Sequence, residues 1–261
     1  MGCITLTTDF GTCDHYVGTM KGVIHSIAPD VKVIDVTHDI PAHDVVRAAF
    51  ILRQIWDWYP ADTIHVAVVD PGVGSRRRIL VGRCGGQYVV APDNGIISMV
   101  HHDFPIEDLR VVENARYCLP AVSVTFQGRD IMAPVAAHLA KGQNMRDFGP
   151  FTDHLEALQI ESSTTDAHAT LTGSVLYVDR FGNLVTNIRK EDLVRMYRRR
   201  SDAQVYLDGR CIGPLRTCYA DVAVGEPLAL IGSSDLLEIS VNQGRAVEVL
   251  ACGASAKVAV K

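Results

Sequence analysis

Short β-branched runs alternate with helical patterns through the first half of the chain, and this alternation constrains the fold more than any other feature. The runs predicted as strands are Ile4 to Thr8, Val31 to Val36, Thr63 to Val69, Ile79 to Val81 and Tyr88 to Ala91. Between them, apolar residues recur at helical spacing in Tyr16 to Ala28 and in Val45 to Trp58. Because alternating strands and helices favour a mostly parallel sheet, we predict an α/β domain over residues 1–150.

The second half has a different pattern. The composition turns polar from Gly142 to Ala169, and we place a linker at residues 151–169. Beyond it, short strands between turn residues are predicted at Thr172 to Val178, Leu184 to Ile188, Gln204 to Leu207, Pro227 to Ile231, Leu237 to Val241 and Ala246 to Leu250. One helix is predicted, around Lys190 to Arg199. Residues 170–261 are therefore expected to form a smaller all-β domain, a barrel or a sandwich.

Charge and composition exclude several classes of partner. The formal net charge is −5 at pH 7, and the Lys/Arg clusters extend no further than the triplets 76–78 and 198–200, so we expect no binding of nucleic acid. No apolar run approaches the roughly 18 residues that a membrane span requires. The start of the chain resembles a core strand and lacks the basic region of a signal peptide. Seven cysteines without a CxxC pair are typical of reduced thiols, so we expect a cytoplasmic protein.

Three predicted strands of the first half end in an acid beside a Gly- or Pro-containing turn, at Asp9, Asp70 and Asp93. Ligands of open α/β sheets bind at the carboxyl ends of the strands, so these carboxylates are candidates for one shared site. Aspartate also favours turns and helix N-caps, which is the alternative reading of each position. The chain contains neither a GxxxxGK[ST] loop nor a GxGxxG turn after the first strand.

Carboxylates without a phosphate loop leave two chemical possibilities. They can accept hydrogen bonds from vicinal ribose hydroxyls and attract an ammonium or sulfonium group. They can also hold Mg²⁺ or another divalent ion. The ten histidines show no HExxH or similar ligand pair, so the sequence gives little support to zinc.

Five segments together resemble the S-adenosylmethionine hydroxide adenosyltransferase family, which is related to the fluorinase and chlorinase enzymes. They are residues 7–18 (TTDFGTCDHYVG), 70–77 (DPGVGSRR), 125–130 (TFQGRD), 179–187 (DRFGNLVTN) and 233–243 (SSDLLEISVNQ). The resemblance implies an α/β domain followed by a β domain, in a homotrimer with sites between the N-terminal domain of one subunit and the C-terminal domain of the next. It implies cofactor-free, metal-free hydrolysis of S-adenosyl-L-methionine to adenosine and L-methionine, by attack of water on the ribose C5′.

The resemblance also implies roles for individual residues. In the first domain Asp9 would hold the ribose hydroxyls, Asp14 the methionine ammonium, and Phe126 would line the ribose pocket. In the second domain, Asp179 and Ser233 would contact the amino-acid end of the substrate. Adenine would be contacted by Phe181, Asn183 and Val241, with Tyr219 or Phe181 stacking on the base. Glu238 would make a weaker polar contact.

The implied water site departs from the family at one position. The hydrolytic members have an Asp at the position of Asp70, an Arg at that of Arg77, and a His at that of Gln127. Glutamine cannot carry a proton away near neutral pH, and loss of a general base commonly lowers a rate by about 10² to 10⁴. We therefore expect a slow hydrolase, or one in which Asp70 is the base.

Three functions remain open from the sequence. A hydrolase is favoured over a halogenase because two like charges about 4 Å apart repel by roughly 4 kcal/mol at an effective dielectric of 20, so Asp70 would repel a halide. The alternatives are a non-catalytic protein that binds S-adenosylmethionine or adenosine, and a divalent-metal hydrolase using Asp9, Asp70 and Asp93.

Overall fold

A computed structural model describes residues 2–159, 161–167, 169–197 and 202–261. Backbone contacts divide the chain into an N-terminal unit, residues 1–158, and a C-terminal unit, residues 159–261. The arginine triplet 198–200 and the end of the helix predicted around Lys190 to Arg199 lie outside the described residues. Within the described part of the chain, every helix is too short or too polar to cross a bilayer.

The N-terminal unit contains a six-stranded sheet with the strand order β2-β1-β3-β5-β4-β6. Its strands are β1 (Ile4–Thr8), β2 (Val33–Thr37), β3 (Ile64–Val68), β4 (Ile79–Cys84), β5 (Gln87–Pro92) and β6 (Ile106–Val111). Strands β2, β1, β3 and β5 are parallel neighbours, whereas β4 is antiparallel to both β5 and β6. The predicted α/β class is confirmed, and β6 is an additional strand that the sequence pattern did not reveal.

Helices cover both faces of this sheet. They are α1 (Tyr16–Ile27), α2 (Val45–Trp56), α3 (Ser98–Asp103) and α4 (Ala133–Ala140). Helices α1 and α4 bury one core with Ile4 and Leu6 of β1, while α2 and α3 bury a second core with Ala67 and Leu80 on the opposite face. Because apolar residues point to both faces, the central strands are continuous apolar runs, as in other sheets covered on both sides.

The C-terminal unit is a β-barrel closed by seven strands. They are β8 (Leu171–Val178), β9 (Leu184–Arg189), β10 (Gln204–Leu207), β11 (Arg210–Arg216), β12 (Pro227–Ile231), β13 (Leu236–Val241) and β14 (Lys257–Val260), with the two-residue β7 (Thr164–Thr165) paired to the outside of β8. The ring runs β8-β9-β13-β12-β11-β10-β14 and closes because β14 pairs with β8. Closure leaves no edge strand in the ring, and the predicted all-β class is confirmed.

One predicted strand of this unit is wrong. Residues Ala246–Val249, the core of the predicted strand Ala246 to Leu250, form the short helix α6. An ion pair between Arg245 and Glu248, one helical turn apart, supports this turn, and the amide of Val247 donates to the carbonyl of Gly182. The other helix, α5 (Lys190–Met196), lies within the predicted helix.

The segment predicted as a linker, residues 151–169, is divided between the two units. Its first part packs against the N-terminal unit, where the amide of Thr152 donates to the carbonyl of Leu109 and that of Glu156 to the carboxylate of Asp93. Its later part contains β7 and belongs to the C-terminal unit.

Candidate functional site

A buried ion pair occupies the loop that joins β3 to β4. Arg77 Nε donates to both carboxylate oxygens of Asp70, at 2.8 Å each, and Nη2 donates to Oδ2 as well. The two side chains are only 6% and 9% exposed for Asp70 and Arg77, respectively. A guanidinium that binds both oxygens fixes the plane of the carboxylate, so the orientation of Asp70 is set before any ligand arrives.

Gln127 completes this cluster from a different part of the chain. Arg77 Nη2 also donates to Gln127 Oε1, although the two residues are 50 positions apart. The loops meet closely at Gly74, whose φ is +80° and where a Cβ would lie 2.7 Å from the carbonyl oxygen of Val124. A side chain at position 74 would therefore separate the loop of Asp70 from the segment that leads to Gln127.

Asp130 anchors the segment that carries Gln127. Its side chain is fully buried, accepts a 2.7 Å hydrogen bond from the amide of Ser123 and pairs with Arg129. The Arg129 guanidinium in turn lies 5.0 Å above the ring of Phe126. Residues Gly128–Met132 form a π-helical turn, a feature that is frequent at functional sites.

Asp9 lies at the end of β1, beside the strand that leads to Asp70. Its Oδ2 accepts a 2.9 Å hydrogen bond from the amide of His43. Phe10 follows in the same loop, and its ring centroid is 5.8 Å from that of Phe126. The structure thus brings the loop of Asp9 next to the segment of Gln127.

The aromatic contact has a third member, and Asp14 lies close by in sequence. The ring of Tyr16, at the start of α1, is 5.1 Å from Phe126 and 5.6 Å from Phe10. Asp14 is exposed in the turn that precedes α1. Its carboxylate is therefore accessible, although it is not part of the buried cluster.

Asp93, the third strand-end acid, has a different environment. It pairs with Arg78 and accepts a 2.9 Å hydrogen bond from the amide of Glu156, so it attaches the segment 152–156 to the sheet. These contacts line a cavity of about 530 Å³ in which His154 and Glu156 also pair with each other. Among the described residues, no three His, Cys, Asp or Glu side chains form a group that could hold a metal ion.

In the C-terminal unit, the turn between β8 and β9 is organised by Asp179. Its Oδ1 accepts hydrogen bonds from the amides of Phe181 (2.8 Å) and Asn183 (2.9 Å), and its Oδ2 accepts one from Asn183 Nδ2. Gly182 has a φ of +85°, and a Cβ there would lie 2.8 Å from Arg245 Cβ. The turn presents Phe181 outward with 74% of its surface exposed.

A buried carboxylate supports a second aromatic side chain near this turn. Glu238 Oε1 accepts hydrogen bonds from the Tyr219 hydroxyl (2.7 Å) and from Ser240 Oγ (2.6 Å). Burial raises the pKa of the Tyr219 phenol, and the carboxylates of Glu238 and Asp179 raise it further. The phenol therefore stays protonated, while 43% of the Tyr219 surface remains exposed.

The remaining residues implied by the resemblance lie in two other environments. Ser233 is exposed in the turn between β12 and β13. Val241 is 3% exposed and packs in the barrel core, with its Cγ1 against Gly244. The structure therefore places the side chain of Val241 inside the barrel and not on the surface that Phe181 occupies.

Sequence reasoning assigned no role to several residues that shape these clusters. Asp130 lies within the segment TFQGRD, and a charged residue followed by an apolar run could have marked it as a buried anchor. Tyr16 was assigned only to a helix. His43 carries no sequence signal, because it acts on Asp9 through its backbone amide and a φ of 69°.

Comparison with known proteins identifies the family of this chain. Residues 4–149 match the sequence profile of the SAM hydroxide adenosyltransferase N-terminal domain, and residues 173–259 match that of the C-terminal domain. An (R)-S-adenosyl-L-methionine hydrolase of Salinispora arenicola is 36% identical over 95% of this chain and 93% of its own length. A fluorinase of Actinoplanes sp. is 26% identical over 92% of this chain and 90% of its own length.

Among solved structures, an uncharacterized conserved protein from Thermotoga maritima superposes with a TM-score of 0.92 at 33% identity, covering 98% of this chain and 99% of the other. The matches extend over both units. The chain therefore belongs to the SAM hydroxide adenosyltransferase family.

Proposed function

We propose that this chain hydrolyses S-adenosyl-L-methionine to adenosine and L-methionine. The observation that carries the proposal is the buried cluster of Asp70, Arg77 and Gln127 in a member of this family. The oxygen of water forms a bond to the ribose C5′ while the C5′–S bond breaks. Sulfur keeps the bonding electron pair, so the sulfonium leaves as the neutral thioether of methionine, and water releases one proton.

Activation of the water is the task of Asp70. Water has a pKa near 15.7, so hydroxide is scarce at neutral pH and a proton acceptor must lie beside the nucleophile. Each carboxylate oxygen has two lone pairs, so Asp70 can accept from water while it also accepts from Arg77. Gln127 Oε1 is occupied by Arg77, and its amide group cannot take the proton. Asp70 is therefore the base in this proposal, and we expect slow turnover because the histidine of the other hydrolytic members is missing.

The same carboxylate favours water over halide as the nucleophile. An anion entering beside Asp70 would meet a like charge, whereas water would meet a hydrogen-bond acceptor. The relatives support this choice, since the hydrolase from Salinispora arenicola is 36% identical and the fluorinase 26%.

The substrate contacts follow from the two units. Asp9 Oδ2 accepts from the amide of His43, and the remaining lone pairs of this carboxylate can accept from the ribose hydroxyls. The exposed Asp14 is available for the methionine ammonium. Phe126 borders the ribose. From the C-terminal unit, we assign the amino-acid end to Asp179 and Ser233 and the adenine ring to Phe181, Asn183 and Tyr219. Glu238 acts behind Tyr219 by holding its hydroxyl.

We further propose that the protein works as a cytoplasmic homotrimer in which the C-terminal unit of one subunit completes the site of the next. In this assembly, the exposed aromatic surfaces of Phe181 and Tyr219 would be the part of the C-terminal unit that meets the substrate of the neighbouring subunit. All seven cysteines are free thiols, which agrees with a reducing compartment. We expect no metal or other cofactor, so turnover should persist in EDTA.

The test uses two arginines of one loop. S-adenosylmethionine is incubated with the parent protein, with Arg77→Ala and with Arg78→Ala, and adenosine and methionine are measured by chromatography. Each substitution breaks a buried ion pair with an aspartate, but only Arg77 contacts Gln127. We expect equal amounts of both products from the parent and from Arg78→Ala, and a loss of about 10² or more with Arg77→Ala. Equal losses in both variants would contradict the proposed water site.

A second candidate function is binding of S-adenosylmethionine without turnover, which the glutamine at position 127 favours. Both functions predict binding, but only the hydrolase predicts adenosine. A parent protein that binds S-adenosylmethionine and yields no adenosine over many hours would establish the binding protein. Activity that disappears in EDTA and returns with Mg²⁺ would instead favour the metal-dependent hydrolase.

A further inference from the structure

A buried histidine supports the loop that carries Asp9. A 2.8 Å hydrogen bond joins His38 Nδ1 to Thr8 Oγ1, and the amide of Phe10 donates to the same hydroxyl oxygen at 3.2 Å. The amide of Gly11 donates to the carbonyl oxygen of His38 at 2.8 Å. The residues on both sides of Asp9 are thus attached to His38, directly or through Thr8.

The other edge of the imidazole faces an ion pair. His38 Nε2 lies 3.0 Å from Asp35 Oδ1, and Asp35 Oδ2 accepts a 2.6 Å hydrogen bond from Lys21 of α1. Burial by itself would raise the pKa of the Asp35 carboxyl, but the contacts with Lys21 and His38 outweigh it and lower that pKa. The carboxylate of Asp35 therefore lies beside Nε2 of the ring as a charge contact and not as a hydrogen bond.

We infer that His38 is a positioning residue for the adenosyl group: through Thr8 it fixes the loop in which Asp9 presents its carboxylate to the ribose, while the charge of Asp35 lies beside its ring. The inference rests on the proposed function, because the ligand is the adenosyl part of the substrate. His38 itself is 5% exposed and touches no residue of the water site in the described structure, so it acts through the loop and not on the reacting atoms.

Strand β1, which carries Thr8, also carries Thr5, and Thr5 makes a similar contact with a second buried histidine, His65, away from the substrate residues. His65 Nδ1 is 2.8 Å from Thr5 Oγ1, and His65 Nε2 is 2.8 Å from Gln87 Oε1. Its ring packs against Trp56 in the core of the N-terminal unit. Loss of either histidine removes a buried bond to a threonine of β1, but only the bond of His38 leads to the loop of Asp9.

The experiment compares His38→Ala, His38→Asn, Asp35→Asn and His65→Ala with the parent. Adenosine affinity is measured by calorimetry, KM and kcat are measured with S-adenosylmethionine, and thermal unfolding verifies that each variant is folded. For His38→Ala we expect adenosine binding weakened and KM raised by about five- to tenfold, with kcat within about twofold, because the interaction is made equally in the ground and transition states.

The other variants separate positioning from stability. The amide of His38→Asn reaches the position of Nδ1 and should restore affinity to within about twofold of the parent. Asp35→Asn keeps the histidine and should weaken binding by about two- to threefold. His65→Ala should lower the melting temperature without changing adenosine affinity or KM by more than about twofold.

Two results would overturn the inference: an adenosine affinity that falls as much in His65→Ala as in His38→Ala, or a folded His38→Asn that binds no better than His38→Ala. Failure of the proposed function gives a different result. If the parent protein binds adenosine but forms no adenosine from S-adenosylmethionine, the hydrolase is excluded, and the adenosine affinities of the variants still test the role of His38. A parent that does not bind adenosine would overturn both.

Discussion

The cluster around Asp70 and the surface around Phe181 solve different physical problems. In the N-terminal unit, the side chains of Asp70 and Arg77 are 6% and 9% exposed and bind each other before any ligand is present, and Arg77 also donates to Gln127. In the C-terminal unit, the polar groups lie behind the surface, and aromatic rings face outward, with Phe181 74% exposed.

In the proposed mechanism, this difference divides the two tasks of the enzyme. A group that handles a developing charge is most effective when its orientation is fixed in advance, which burial and ion pairing achieve. A surface that recognises a purine needs flat apolar area, which stays in water until the base covers it. Substitutions in the first region should therefore change kcat, and those in the second should change KM.

The strongest test of this division is Asp70→Asn. The amide cannot accept the proton of water, so we expect kcat to fall by about 10² to 10⁴ while S-adenosylmethionine still binds. Product formation by chromatography and binding by calorimetry measure the two effects separately. A variant that retains the parent rate would remove Asp70 from the mechanism, and one that loses binding would place Asp70 in recognition.

Acid should destabilise the N-terminal unit through His65. Burial lowers the pKa of His65 to about 4, although the hydrogen bond to Gln87 opposes this shift. The unfolded chain takes up the proton below a pH of about 6.5 and the folded chain only near 4, so this contribution to stability is complete above pH 6.5 and is lost as the pH falls. The loss at pH 4 is about 3 kcal/mol.

Tryptophan fluorescence during urea unfolding isolates this effect, because both tryptophans, Trp56 and Trp58, belong to the N-terminal unit. The pH dependence between 6.5 and 4 should be reduced in His65→Gln. An equal slope in parent and variant would show that other groups cause the acid sensitivity. Nine of the ten histidines lie in the N-terminal unit, so protonation of histidine should destabilise that unit more than the C-terminal unit.

Gln127→His should add a base to the buried cluster of Asp70 and thereby sharpen the difference between this cluster and the aromatic surface around Phe181. We expect kcat to rise by about ten- to a hundredfold with KM little changed, and activity to increase with pH through about 6.5 as the histidine loses its proton. Rates at several pH values measure this effect. Gln127→Met, of similar volume but without an acceptor for Arg77, is the control and should lower kcat. A histidine variant no faster than the parent would mean that proton removal does not limit the rate.

Phe181→Ala should produce the smallest effect of these substitutions, and it should change KM instead of kcat. Loss of a stacking surface should raise KM by about tenfold and leave kcat within about twofold. Phe151→Ala removes another exposed phenylalanine, which contacts Arg110 in the N-terminal unit, and should change neither constant. A change in kcat with Phe181→Ala would show that the aromatic surface also orients the reacting carbon.

Sequence periodicity predicted β1, β3, β5 and the two longest helices of the N-terminal unit to within about two residues, because continuous apolar runs and helical spacing are local signals. The strand predicted at Ile79 to Val81 ended three residues before β4 does. Periodicity failed at Ala246–Val249, where an apolar run shorter than two turns is compatible with either structure and the contact to Gly182 decides for a helix. Strand β6 was missed because charged residues interrupt it, and β11 and β14 were missed as well.

The sequence by itself determined the order of the two units, the acids at the strand ends and, through five segments, the family. Only the tertiary structure decided how each acid is used. Asp70 and Asp93 both lie at strand ends before a turn, yet one pairs with Arg77 while the other attaches the segment 152–156. The physical reason is that a carboxylate takes its role from the donors that packing brings to it. Asp70 binds Arg77, which also binds Gln127 from 50 residues away, whereas Asp93 accepts from the amide of Glu156, 63 residues away.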